Sequence, residues 1–363
     1  MDTPANKPFL ELDAVPDLVR QLFPVSSVSQ CSTLVSYDDL NFVVEATLEN
    51  EPQQQTRKFV LKVLNRRDSL HVPLVEGMNS MMAFLHDQGL PCPVSLRGRN
   101  GDQVILHGLP HPNYKAEPGS SDLPMYAVRL LSYLPGTVLN SLPRQLEIYF
   151  KVGKFLGVLS RHLENFPPNP AIQTRDFTWA LTHVLDCKSR VSVIKETEEK
   201  KQLVLDVLNA YEKKVVPTFQ SLPRTYIHGD LNDYNILLEK VDGDDYEISG
   251  LLDYGDVVYS YRVCDIAIAM AYACIGKEDL FSLPGSILAG YQSSFPLSDA
   301  EFDLLYYLMI ARMAQSATMG SYAYAQNPDE YLLVHAAPAW KTMARLWEIP
   351  KHEVEEKWKA YFK

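Results

Sequence analysis

Residues 226–238 read Tyr226-Ile-His228-Gly-Asp230-Leu-Asn-Asp-Tyr-Asn235-Ile-Leu-Leu238. Three side chains stand out by type and spacing. His228 and Asp230 flank a glycine, and Asn235 follows five residues after Asp230. A carboxylate on such a loop can orient a hydroxyl and accept its proton. A neutral amide oxygen just beyond it can ligate a hard cation such as Mg²⁺. Ile236, Leu237 and Leu238 have the apolar texture of a strand that anchors the loop. The bland alternative is a polar turn before a hairpin, with His228 and Asp230 as turn and cap residues.

A second stretch, GLLDYGD (250–256), begins 15 residues after Asn235 and reads as a strand ending in Asp253-Tyr254-Gly255. A carboxylate there can bridge a metal to nucleotide phosphates, although any strand may end in such a turn. Far upstream, FVLKVL (59–64) is an apolar strand carrying one lysine, Lys62, and Glu76 lies in the helical pattern that follows. Taken singly, Lys62 is an edge-strand lysine and Glu76 a solvated helical residue. Taken together, Lys, Glu, His-x-Asp-x4-Asn and Asp-x-Gly stand in the chain order of the kinase phosphoryl-transfer apparatus. That order predicts Asp230 as the catalytic base and Asn235 and Asp253 on the metal. It places Lys62, paired with Glu76, on the donor phosphates.

The surrounding pattern predicts an α+β, protein-kinase-like bilobal fold. A small antiparallel β lobe with one helix spans 1–131, a hinge 132–136, and a larger, mainly helical lobe 137–363. Strand texture covers 28–34, 41–48, 58–64, 103–106 and 126–133, with a hairpin tip at 53–55. Leu74, Met78, Met81, Met82 and Leu85 share one helical face, and Gly89 ends it. Beyond Gly136 the helical segments are 147–164, 198–216, 263–274, 300–323 and 330–347, interrupted by one hairpin over 236–252. Ser132, Tyr133 and Leu134 form the expected contact with the purine edge.

Composition narrows the function class. The chain has 363 residues, enough for two domains, and a formal net charge of −11. Acidity disfavours nucleic acid as a partner and suits a cationic small molecule. The five cysteines are widely spaced and form no Cys-x-x-Cys pair, which reads as reduced thiols in a cytoplasmic protein. No basic-then-apolar leader and no long uncharged apolar run is present, so neither secretion nor a membrane span is expected.

The chain resembles the aminoglycoside phosphotransferase and choline kinase family of the kinase-like fold. The phrases SYDDLNF (36–42), FVLKV (59–63), VRLLSYLPG (128–136), HGDLNDYNIL (228–237) and GLLDYGD (250–256) carry the likeness. The resemblance implies a small-molecule kinase that uses Mg²⁺ and transfers the γ-phosphoryl group of GTP to 5-hydroxy-L-lysine in lysine breakdown. Choline, homoserine, an aminoglycoside or another amino alcohol are alternative acceptors, and a catalytically inactive binding protein is a further alternative. In such folds an Asp at the position of Asp265 holds backbone amides of the catalytic loop, beside His228; simple helix capping is the other reading.

Departures from protein kinases are informative. No two glycines are separated by one residue, so a Gly-x-Gly phosphate loop is absent from the sequence. Ser36 to Asn41, at the turn between the first two strands, is the candidate cover, with Asp38 and Asp39 expected to point away from phosphate. Asn232 stands where a protein kinase has lysine. The short run from Asp253 to the next helix leaves no peptide platform, which favours a small acceptor. Asp233, Tyr234, Tyr254 and Asp256 are the candidates for the acceptor's cationic side. Arg312, set among Leu304, Leu305, Met309 and Met313, reads as a satisfied, semi-buried arginine rather than a substrate contact.

Overall fold

The computed structural model describes residues 6–36, 38–49, 55–114, 122–194, 197–326 and 333–362. Tyr37, most of the 53–55 tip and residues 115–121, between the expected strands 103–106 and 126–133, lie outside the described residues. The chain divides into two compact units, Met1–Leu134 and Pro135–Lys363.

In the first unit α1 (Val15–Leu22) buries Val15, Leu18, Val19 and Leu22, a single helical face. It leads into an antiparallel meander of β1 (Val25–Leu34), β2 (Leu40–Leu48) and β3 (Thr56–Val63). Then come α2 (Arg66–Ser69), α3 (Val72–Asp87), β4 (Ser95–Leu96), β5 (Ile105–Gly108) and β6 (Met125–Ser132). The sheet order is β1-β2-β3-β6-β4, with β5 also on β6. Strand alternation sends Phe59, Leu61 and Val63 into a core shared with Phe42, Val44, Val128 and α1. The intervening Lys62 therefore faces the other side, in register with Asn41 on one flank and Arg129 on the other. Arg129 donates to Asn79 of α3 at 2.9 Å, so Lys62 lies on the α3 side of the sheet. Gly89, at φ +83°, follows the end of α3.

The second unit begins with β7 (Thr137–Val138), α4 (Leu146–Leu163) and α5 (Pro170–Gln173), followed by a 3-10 stretch (Leu181–Val193). Next come α6 (Glu198–Lys214), α7 (Val216–Phe219), β8 (Thr225–Ile227), β9 (Ile236–Asp242), β10 (Asp245–Leu251) and β11 (Val258–Ser260). Among the described residues five helices close it: α8 (Arg262–Cys274), α9 (Ser282–Ser294), α10 (Asp299–Gln326), α11 (Leu333–Trp347) and α12 (Lys351–Lys359). β9 pairs with β10 and β7, while β8 pairs with β11. The two ribbons thus bracket both polar turns: residues 228–235 run from β8 to β9, and 252–257 run from β10 to β11. Helix α8 is buried on every side from Val263 to Cys274, as expected of a helix apolar all round.

Helix α9 was not legible as a helix, because SLPGSILAGYQSS contains Pro284, Gly285 and Gly290. Packing explains it. A Cβ on Gly153 of α4 would lie 1.8 Å from the Ile287 carbonyl oxygen, and one on Gly290 would lie 2.0 Å from that of Phe150. The two helices touch backbone to backbone, which only glycine permits. Helices α1 and α12 and the 3-10 stretch were also absent from the sequence reading. All five cysteines are free thiols, and among the described residues no helix is long and apolar enough to cross a membrane.

Candidate active site

The 228–235 loop is pinned by the start of α8. Asp265, in the first turn of α8 and only 1% exposed, accepts the amide of His228 at 2.9 Å and that of Gly229 at 2.8 Å. Burial pushes its carboxyl up in pKa, opposed by His228 and by these two amides. The buried His228 ring donates from Nε2 to the Leu252 carbonyl at 2.9 Å and accepts the Asp230 amide at Nδ1, 3.3 Å away. That pair of roles fixes one neutral tautomer. Gly229 sits at φ +85°, and a Cβ there would lie 2.3 Å from the Asp256 carbonyl oxygen. The His-Gly-Asp spacing follows from that close approach as much as from chemistry.

The loop presents Asp230 with its carboxylate fixed on both oxygens. Oδ2 accepts from Asn232 Nδ2 at 2.7 Å and Asn235 Nδ2 at 3.0 Å, while Oδ1 accepts from Arg312 Nη2 at 3.0 Å. The side chain keeps 20% exposure. A hydroxyl can still reach it, and its rotamer is already set.

Asn235 spends its amide nitrogen on Asp230, on the carboxylate and on the backbone carbonyl at 2.9 Å. Its amide oxygen is thereby the end turned to a ligand. The amide of Leu252 donates to the Asn235 carbonyl at 2.8 Å, which ties the chain entering Asp253 to the catalytic loop. Asp253 has φ 56° and ψ 77°, the one non-glycine at positive φ among the described residues. Such strain accumulates where function needs a side chain aimed. One amide oxygen and one carboxylate form a hard donor set, suited to a cation that keeps waters and phosphate oxygens as further ligands. Mg²⁺ fits that set. Among the described residues no cluster of three or more His, Cys, Asp or Glu is placed to hold a metal alone.

The expected acceptor-facing residues fare differently. Tyr234 is 41% exposed. Asp256 is half-buried, and its pKa is raised to about 8, chiefly by burial and then by the carboxylates of Asp230 and Asp253. Tyr254 must be reassigned: it is 3% exposed and packs edge-on against His228, with ring centroids 4.9 Å apart, so it is a prop for the loop. Asp233 is reassigned too. It is 6% exposed, its carbonyl accepts the Asn140 amide at 2.9 Å, and Lys277 lies 4.0 Å from its carboxylate. Burial lifts its carboxyl to about 6. Arg312, expected to be semi-buried, is fully buried at 2% exposure, and its partner is Asp230.

The remaining candidate residues belong to the first unit. Lys62 lies 3.3 Å from Asp39 Oδ2, with only 10% and 15% of the two side chains exposed. Asp39 therefore points toward the lysine, contrary to expectation. Its Oδ1 also accepts the Asn65 amide at 2.7 Å and the Asn65 side chain at 3.0 Å. Glu76, the expected partner, is an exposed residue of α3. Ser36 donates to the Asp39 carbonyl at 2.5 Å and closes the turn, and the Asn41 oxygen is buried without a hydrogen-bond partner. Half-buried Asp38 is raised to about 7 by desolvation and by the charges of Asp39 and Asp68. The Ser132 amide donates to the Val94 carbonyl at 2.9 Å, and Tyr133 and Leu134 follow it in the chain.

Comparison with known proteins agrees with this geometry. The profile of the Phosphotransferase enzyme family matches residues 43–295. The chain is 34% identical to hydroxylysine kinase of Xenopus laevis, covering 97% of this chain and 94% of that protein. It is 33% identical to hydroxylysine kinase of Danio rerio, covering 99% and 97%. Among solved structures, a microcompartment-associated aminopropanol kinase superposes with a TM-score of 0.69 at 16% identity, covering 96% and 98%, which speaks to fold alone. The chain belongs to the phosphotransferase enzyme family, with a protein-kinase-like fold, and it transfers phosphoryl groups to a hydroxyl.

Proposed function

We propose that the protein is a small-molecule kinase that phosphorylates the hydroxyl of free 5-hydroxy-L-lysine with GTP as donor, a step of lysine breakdown. The acceptor oxygen forms a bond to the γ-phosphorus, and the bond from that phosphorus to the β,γ-bridging oxygen breaks. The hydroxyl proton passes to Asp230. The products are a phosphate monoester and GDP. Asp230 orients the hydroxyl and takes its proton, and Lys62 neutralises charge on the α- and β-phosphates. Asn235 and Asp253 are the residues that would hold Mg²⁺, which supplies charge neutralisation on the donor phosphates when bound. The backbone of Ser132, Tyr133 and Leu134 is the proposed contact for the purine edge.

The observation that carries the chemistry is the triply held carboxylate of Asp230, beside a loop that offers oxygen ligands and no long peptide platform. The acceptor rests on near full-length likeness to two vertebrate enzymes of that name. Charge favours it as well. The acceptor carries two ammonium groups, and the protein is strongly acidic, with a formal net charge of −11. Purified protein should be assayed with GTP and with ATP against hydroxylysine, choline, homoserine and an aminoglycoside. The proposal requires the highest kcat/KM for hydroxylysine with GTP. A higher value for another acceptor would refute the substrate, and a higher value with ATP would refute the donor.

A further inference from the structure

The geometry points to Arg312 as the positioning residue of the catalytic base. It lies 82 residues beyond Asp230 in the chain and in the middle of α10. Its side chain is 2% exposed, so no acceptor reaches it and it is not a catalytic residue. Nη1 donates to the Trp179 carbonyl at 3.0 Å and to Gln315 Oε1 at 3.1 Å, and Nη2 donates to Asp230 Oδ1 at 3.0 Å. Gln315 is itself anchored, donating to the Thr178 carbonyl at 3.1 Å. The guanidinium also lies over the rings of Trp179 and Tyr272, 5.4 and 5.6 Å from their centroids. A planar fork held on so many sides cannot follow Asp230; Asp230 must follow it.

The direction of this arrangement is what distinguishes it from a structural ion pair. Asn232 and Asn235 sit on the same short loop as Asp230 and move with it. Among the described residues Arg312 is the one partner of the carboxylate that comes from a separate, buried element. It fixes where Oδ1 sits relative to the rest of the unit, and so which edge of the carboxylate faces the incoming hydroxyl. A displacement of about 1 Å at such a centre costs on the order of a hundredfold in rate. The inference rests on the reading of Asp230 as the group that takes the acceptor's proton.

A double-mutant cycle tests it with Arg312→Ala, Asp230→Asn and the combination, all in the full chain. In the wild-type background Arg312→Ala should lower kcat about tenfold to a hundredfold while the nucleotide KM changes less than about twofold. In the Asp230→Asn background the same change should cost less than about twofold, because the group it positions is gone. Millimolar guanidinium should restore part of the lost kcat in Arg312→Ala, and urea, its neutral isostere, should not. Equal losses in the two backgrounds, or equal effects of guanidinium and urea, would overturn the inference. Should Arg312→Ala fail to fold, Arg312→Lys enters the same cycle, and additive losses again overturn it. Should hydroxylysine prove not to be the acceptor, the cycle is read on nucleotide hydrolysis, where water replaces the alcohol. An Asp230→Asn enzyme as active as wild type would instead overturn the reading of Asp230 on which the inference stands.

Discussion

Asp39 holds the ammonium of Lys62 at 3.3 Å, and the same carboxylate holds both nitrogens of Asn65. The lysine is thus drawn to the turn that precedes β2 and not to the helix behind it. Donor phosphates that engage Lys62 must compete with this pair. Replacing Lys62 by Met should leave the protein folded and lower kcat/KM for the nucleotide by about a hundredfold, as steady-state kinetics would show. Asp39→Asn should weaken the Asn65 contacts and destabilise the fold by about 1–3 kcal/mol in urea titration. Unchanged kinetics in Lys62→Met would remove the lysine from the donor site.

Metal dependence follows from the donor set of Asn235 and Asp253. A chelator should abolish turnover, and added Mg²⁺ should restore it. Asp253→Ala should stay inactive even at high Mg²⁺, with circular dichroism unchanged. Removing the side chain also relieves none of the left-handed backbone strain at this residue, so a gain in stability is not expected. Turnover without any divalent cation would contradict the assignment.

Asp256 gives a pH prediction. Its folded-state pKa is raised to about 8, mainly by burial. The folded protein therefore holds this proton where the unfolded chain has lost it. Its stabilising effect is complete below the ordinary carboxylate pKa and is lost as pH rises toward 8. Asp256→Asn never ionises. Its thermal stability relative to wild type should rise between pH 5 and pH 8 and then level off, measured by calorimetry without nucleotide or metal. A difference that does not change with pH would show that Asp256 is ionised throughout.

Backbone contact between α4 and α9 makes Gly290 intolerant of side chains. Gly290→Val should force the helices apart and cost about 1–3 kcal/mol or more, read from denaturant midpoints. Wild-type stability in that variant would mean that the helices can separate freely.

Much of this was legible in the sequence because the signals were local. Lys62 sits in an alternating strand, the Met78–Met81–Met82 face has helical period, and the catalytic loop has its spacing within eight residues. What escaped reading was set by partners distant in the chain. Helix α9 carries Pro284 and Gly290, and only contact with Phe150 and Gly153 makes a helix of it. Arg312 lies in a helix apolar nearly all round, which announces burial but not which carboxylate it meets. Nearness in sequence to the loop suggests a substrate-facing place for Tyr254 and Asp233, whereas the fold packs Tyr254 on the His228 ring and leaves Asp233 6% exposed. Asp39 was expected to avoid phosphate on charge alone, which ignored Asn65 and Lys62 as donors close by in the fold.

The central claim is that Asp230 drives transfer of a phosphoryl group to the hydroxyl of hydroxylysine. Phosphorus-31 NMR of the reaction with GTP tests it most directly, run side by side on wild type and Asp230→Asn. The account predicts one new phosphate monoester per GDP with wild type, none with lysine as acceptor, and ester formation slowed by about 10²–10⁴ in Asp230→Asn. Ester formation at an undiminished rate in Asp230→Asn, or GDP release by wild type with no ester on hydroxylysine, would contradict it.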